Sequence, residues 1–170
     1  ARDLPVPILG CIEGGVWGGA CDLCACCDFL LGTPDATFAI TPAKVGLPYH
    51  ASGMAHFVGV LPVHVVKWMF FSSSVLSAEE AHRYGFLNAI VPPDELSAKA
   101  SEMAATIASR APLVVTVLKK QLRQLCATAN LSPDIFEELH EMRKAAWSSR
   151  DMEEGVNAFF ERRQPVFKGF

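Results

Sequence analysis

Apolar positions change rhythm along this chain. Over Val6–Glu13, Asp28–Thr33 and Ala36–Ile40 they form short runs rich in Val, Ile, Leu and Phe, bounded by Gly, Pro and Asp, which predicts three short strands. Pro7 fits only the start or the edge of the first. Gly14–Trp17 reads as a turn, and Gly18 to Cys26 as a short apolar helix. Pro34 and Asp35 supply the turn between the second and third strands. Beyond a loop through Gly46, Pro48 and Tyr49, helical spacing appears over Ser52–Val58 and Val63–Phe71. Ser77 and Glu80 have the spacing of a capping box for a helix over Ala78–Tyr84, which Gly85 is placed to end. Phe86–Val91 reads as a β-like connector closed by Pro92 and Pro93.

From Asp94 onward the pattern is helical throughout: Glu95–Arg110, Leu113–Thr128, Pro133–Ser148 and Met152–Arg163. Pro112 separates the first two, and Ser132 and Asp151 are placed to start the last two. A mixed α/β front thus leads into an all-helical back. With no internal repeat and no low-complexity linker, a single domain with a sheet covered by helices is the expected architecture.

Composition narrows the function classes. At 170 residues and 51% hydrophobic the chain can bury a sizeable core. Its net charge of −3 gives no electrostatic reason to expect nucleic-acid or anionic-membrane partners. The longest apolar stretch, near Val63–Phe71, is broken by Lys67 and falls short of the roughly 20 residues a membrane span requires. Cys21, Cys24, Cys26 and Cys27 crowd together, but side chains on one short helix point to different sides and cannot converge on a tetrahedral ion. No metal is expected. Free thiols of this kind behave as small hydrophobes and fit a reducing, cytoplasmic compartment.

The chemistry-bearing candidate is the glycine pair Gly18–Gly19, delivered by a strand to the first turn of a helix. Amides there lack intrahelical partners and can receive an oxyanion. Close helix packing is the competing explanation of the same glycines.

The runs EGGVWGGA (Glu13–Ala20), CDFLLGTPDATFAITPAKVGLPYH (Cys27–His50), SAEEAHRYGFLNAIV (Ser77–Val91) and EGVNAFFERRQPVF (Glu154–Phe167) resemble the crotonase (enoyl-CoA hydratase/isomerase) superfamily. Within it, the Thr41–Tyr49 stretch is most similar to the methylmalonyl-CoA decarboxylases. The resemblance implies an α/β fold of the ClpP/crotonase type, a ββα superhelix fragment with an all-helical C-terminal region. Residues 1–93 would be the C-terminal part of the core, carrying the oxyanion glycine and substrate loop. Residues 94–170 would serve oligomerisation and cover coenzyme A. Family members begin with a segment that has no counterpart here, so the chain is expected to be one domain incomplete at its N-terminus.

The resemblance also implies roles. Gly19 N–H would be one of two amides holding a thioester enolate oxygen, and a preorganised donor of this kind lowers a barrier by about 3–4 kcal/mol. Asp22 stands where hydratases place a catalytic glutamate. Their second glutamate aligns with Ala43, which cannot activate water. Tyr49 would hold the departing carboxylate. Trp17, Gly18, Thr41, Pro48 and His50 would line the substrate site, and Phe160 and Lys168 would approach coenzyme A. For Asp22 a helix-dipole role competes, and for Tyr49 that of a half-buried loop tyrosine. The remaining histidines, His56, His64, His82 and His140, receive no chemistry from spacing alone.

The expected activity is decarboxylation of methylmalonyl-CoA to propionyl-CoA by a homotrimer or hexamer, without a cofactor beyond the coenzyme A of the substrate. Two alternatives stand beside it. One is an enoyl-CoA hydratase or isomerase using Asp22 as acid/base; the other is a truncated, non-catalytic homologue that acts through oligomerisation.

Overall fold

The computed structural model of the chain describes residues 2–45, 49–127, 133–163 and 165–170. These residues divide into two compact units, the first built on Ile8–Ser101 and the second on Asp3–Pro7 with Glu102–Phe170.

In the first unit the chain lays down strands in pairs, one for each of two sheets. Strand β1 (Leu9–Ile12) pairs in parallel with β3 (Phe29–Gly32), and β3 with β6 (Ala89–Ile90). Strand β2 (Gly15–Trp17) pairs in parallel with β4 (Thr37–Ala39), and β4 pairs antiparallel with β5 (Leu76–Ser77). Helix α1 (Gly19–Ala25) lies between the first two strand pairs in sequence, giving the ββα rhythm. The stretch read as a turn over Gly14–Trp17 is therefore corrected: Gly15–Trp17 is a strand. Two glycines and an exposed indole conceal it, because its partner β4 supplies the register, Gly15 opposite Thr37 and Trp17 opposite Ala39. Pro7 precedes β1, which stands at one end of the strand order among the described residues, a place that accommodates a proline at the strand's start.

After β4 comes a 3₁₀ turn over Pro42–Val45, then α2 (Ala51–Val58) and α3 (Val63–Ser72). Helix α4 (Ala78–Arg83) follows β5 and carries both bonds of the capping box: the Glu80 N–H donates to Ser77 Oγ at 3.2 Å, and the Ser77 N–H donates to Glu80 Oε2 at 3.0 Å. The core joins Phe38, Ile40, Phe57, Met69, Leu76 and Leu87, all fully buried. Aromatic edges run through it, with Phe38 5.1 Å from Phe86 and Phe57 5.3 Å from Phe70.

The second unit is helical: most of α5 (Leu96–Ala108), then α6 (Pro112–Ala127), α7 (Pro133–Trp147) and α8 (Arg150–Glu161). Pro112 and Pro133 occupy first helical positions; Ser132, read as the start of α7, lies outside the described residues. Asp151 does not start α8 but sits inside its first turn, and Ser149 makes the cap, its Oγ accepting from the Met152 N–H at 3.2 Å. The Asp151 carboxylate, only 3% exposed, accepts instead from the backbone N–H groups of Lys168 at 2.7 Å and Gly169 at 2.8 Å. Among the described residues no helix is long and apolar enough to cross a membrane.

Candidate functional site

Backbone geometry where β2 meets α1 sets the first element of the site. Gly18 has φ +55° and ψ −120°, a conformation that L side chains rarely adopt. Its N–H is tied to the Ala39 carbonyl at 2.9 Å, which pins the turn to β4. The next amide differs: the Gly19 N–H meets no acceptor among the described residues, and a Cβ at Gly19 would stand in open space.

One turn into α1, Asp22 extends towards α2. Its Oδ1 lies 2.7 Å from His56 Nδ1, and both side chains are partly buried. The carboxylate can only accept, so the ring nitrogen carries the proton and donates. Cys26, four residues after Asp22 on the same helix face, brings its Sγ to 3.3 Å from the same nitrogen. Burial, and next the charge of Asp22, pushes the Cys26 thiol above its usual range, so it stays protonated at neutral pH. Deeper in α1, burial raises Cys21 to about 12 and Cys24 to about 11.

Tyr49 approaches from the loop before α2. Its ring stands edge-on to Phe70 with centroids 5.1 Å apart, anchoring it to the core aromatics. A Cβ on Gly53 would lie 2.6 Å from Tyr49 Cε1 and 3.4 Å from Asp22 Oδ2, so the bare glycine backbone lets both groups close over it. Burial, then the negative charge of Asp22, lifts the Tyr49 hydroxyl above the ordinary tyrosine range. At neutral pH it is a neutral phenol and a hydrogen-bond donor.

Asp22, Tyr49, His50, Ser52 and Gly53 line a cavity of about 340 Å³, within the range of small-molecule sites. Three residues singled out by sequence, Asp22, Tyr49 and His50, thus come together. Gly18, Gly19, Trp17 and Thr41 are not part of that lining. The Trp17 indole folds back across Gly15, whose Cβ would lie 2.5 Å from Nε1. Thr41 lies ahead of the 3₁₀ turn, its carbonyl accepting from Lys44 at 3.0 Å. Pro48 lies outside the described residues. Phe160 and Lys168 belong to the second unit, Phe160 at 78% exposure on α8 and Lys168 in the tail held by Asp151.

Sequence reading missed three participants. Gly53, a glycine within a helical run, carried a signal of close approach. Ser52 carried none, and His56 could not be paired from spacing because Asp22 is 34 residues away.

The chain matches the enoyl-CoA hydratase/isomerase family over residues 1–169. It is 37% identical over 168 residues to methylmalonyl-CoA decarboxylase of Escherichia coli (strain K12), a match covering 99% of this chain and 64% of that protein. Carnitinyl-CoA dehydratase of Salmonella typhi is 32% identical over 172 residues, covering 98% of this chain and 65% of that protein. The crystal structure of an enoyl-CoA hydratase/carnitine racemase from Magnetospirillum magneticum superimposes with a TM-score of 0.89 at 25% identity, over 99% of this chain and 62% of that one. The chain therefore spans less than two thirds of the length of these relatives. Match over nearly every residue and agreement in fold lead to one assignment: the chain belongs to the enoyl-CoA hydratase/isomerase family and has its crotonase-type α/β fold.

Proposed function

We propose that the protein decarboxylates methylmalonyl-CoA to propionyl-CoA through a thioester enolate. The observation that carries this reading is the lining of the cavity, where a neutral Tyr49 hydroxyl stands beside Asp22, the one carboxylate among the described lining residues. Hydration calls for carboxylates that hold and activate water. Decarboxylation calls for a donor to orient the leaving carboxylate and a sink for the electron pair. Tyr49 suits the first task, holding the breaking C–C bond perpendicular to the thioester plane. The Gly19 amide, which meets no acceptor among the described residues, suits the second. Similarity to the E. coli decarboxylase supports the same choice. In this reading Phe160 and Lys168 contact coenzyme A, and the working form is a homotrimer or hexamer.

The deciding experiment gives the full-length protein methylmalonyl-CoA and crotonyl-CoA in parallel. Carbon dioxide release should outpace hydration, and Tyr49→Phe should lower it about a hundredfold or more, the lower end of the range for loss of a preorganised donor. Faster hydration of crotonyl-CoA would reject the reading. A hydratase or isomerase using Asp22 is the second reading, favoured by the dehydratase relative and by the ordered Asp22–His56 pair. In that case Asp22→Asn abolishes turnover, whereas decarboxylation tolerates it far better.

A further inference from the structure

Asp22 has two oxygens with different surroundings. Oδ1 is occupied by His56 Nδ1 at 2.7 Å, while Oδ2 faces the Gly53 backbone on the side of the cavity that Tyr49, His50 and Ser52 line. We propose that His56 is a positioning residue for Asp22: its N–H holds Oδ1, leaving Oδ2 as the oxygen that exchanges a proton with the α-carbon of a thioester in the cavity. The assignment rests on the thioester-enolate reading, but not on carbon dioxide being the leaving group.

The alternative use of this cluster is a cation held by Asp22, Cys26 and His56, whose donor atoms lie within 4.8 Å of one another. Distance favours the hydrogen-bonded pair. Tetrahedral zinc with bonds of about 2.0 Å separates its oxygen and nitrogen ligands by about 3.3 Å. The observed 2.7 Å is that of a proton-bridged, charge-assisted pair. Cys26, a neutral thiol, lies beside the same ring nitrogen at 3.3 Å.

The proton step balances in both directions. Asp22 Oδ2 takes a proton from the α-carbon, the C–H electron pair becomes the enolate double bond, and the carbonyl pair moves to the thioester oxygen. On return, the α-carbon takes the proton from Oδ2 and the carbonyl re-forms. In decarboxylation the C–C pair replaces the C–H pair and carbon dioxide departs. A proton that Oδ2 has drawn from solvent then completes the α-carbon. An imidazole N–H fixed on one oxygen stabilises the carboxylate left behind and holds its plane so that the other oxygen stays turned to the cavity.

The test is exchange of the α-protons of propionyl-CoA in deuterium oxide by the full-length protein, followed by NMR. One of the two protons should exchange. His56→Asn, whose amide nitrogen reaches the place of Nδ1, should retain the rate to within about threefold. His56→Gln, which reaches the place of Nε2, and His56→Leu should lose at least tenfold, on the scale of general acid–base effects. Exchange by the Gln and Leu variants at the parent rate, or equal exchange of both protons by the parent, overturns the inference. The Asn–Gln contrast separates positioning from packing, since both variants are polar and of similar bulk. Carbon dioxide release from methylmalonyl-CoA is measured beside it. Exchange without release rejects decarboxylation and keeps the role of His56, and release without exchange does the reverse.

Discussion

At Gly53 the sign of a substitution tests the site geometry. In an open helix, Gly→Ala gains about 1 kcal/mol. Here the methyl would lie 2.6 Å from Tyr49 Cε1, and overlap in a packed position costs about 1–3 kcal/mol. Gly53→Ala should therefore melt no higher than the parent and should lose turnover, because Tyr49 must leave its place against Phe70; a higher Tm with unchanged activity would show that the ring yields freely. The phenol offers a second check. Its folded pKa is raised, by burial first and by Asp22 next, so it should titrate above 10 when followed by phenolate absorbance. The sign follows from linkage: stability from the neutral phenol is full below the unfolded pKa of about 10 and is lost as pH rises through the folded value. At this scale the sequence singled out Asp22 and Tyr49 through its resemblance to the family, and both line the cavity. It did not show His56, whose place is fixed by α1 packing on α2 rather than by anything near it in the chain.

Elements were legible where their ends carry side-chain chemistry. The capping box at Ser77 and Glu80 could be read from four residues, and Ser77→Ala should cost about 1 kcal/mol, measured by denaturant unfolding. Strands β2 and β5, three and two residues long, could not be read, since their order comes from β4 between them rather than from their own pattern. Asp151 was legible as a helix-end residue but not in its actual task, because its partners, Lys168 and Gly169, lie beyond the far end of α8. Asp151→Ala leaves both N–H groups without their acceptor and should cost about 2–3 kcal/mol. It should also raise the KM for a coenzyme A substrate if Lys168 serves that site, and an unchanged KM in both Asp151→Ala and Lys168→Ala would remove the tail from binding. Glu154 on the same helix is held down at about 2, chiefly by hydrogen bonds from Arg163, at 2.5 and 2.9 Å, and next by the Val166 N–H. Its contribution is present above the unfolded value of about 4.3 and disappears as pH falls through the folded one. A carboxyl titration by NMR should place its midpoint near 2.

Across the molecule, the division between apolar core and polar surface is incomplete in the first unit. Helices α2 and α3 and the link between them leave Val58, Val60, Val63, Trp68 and Phe71 exposed, Phe71 at 78%. Scattered apolar residues are ordinary on a protein surface, but a concentration on two successive helices forms an apolar patch of the kind that further protein covers. Burying a side chain the size of Phe71 contributes about 1.5–3 kcal/mol per copy, and closed symmetry repeats that gain at every interface. The sequence could announce this excess of apolar residues without saying where it would emerge, since helical spacing over Val63–Phe71 fixes one stripe and only the fold decides which stripe reaches the core. Buried Val65, Val66, Met69 and Phe70 take that place, and Phe71 is left outside. If the working form is a trimer or hexamer assembled through this surface, sedimentation equilibrium of the full-length protein should give that mass. The double variant Val63→Ser with Phe71→Ser should then weaken assembly without changing the far-ultraviolet circular dichroism. A parent protein that sediments as a monomer, or a variant that assembles as tightly as the parent, would remove these helices from the interface.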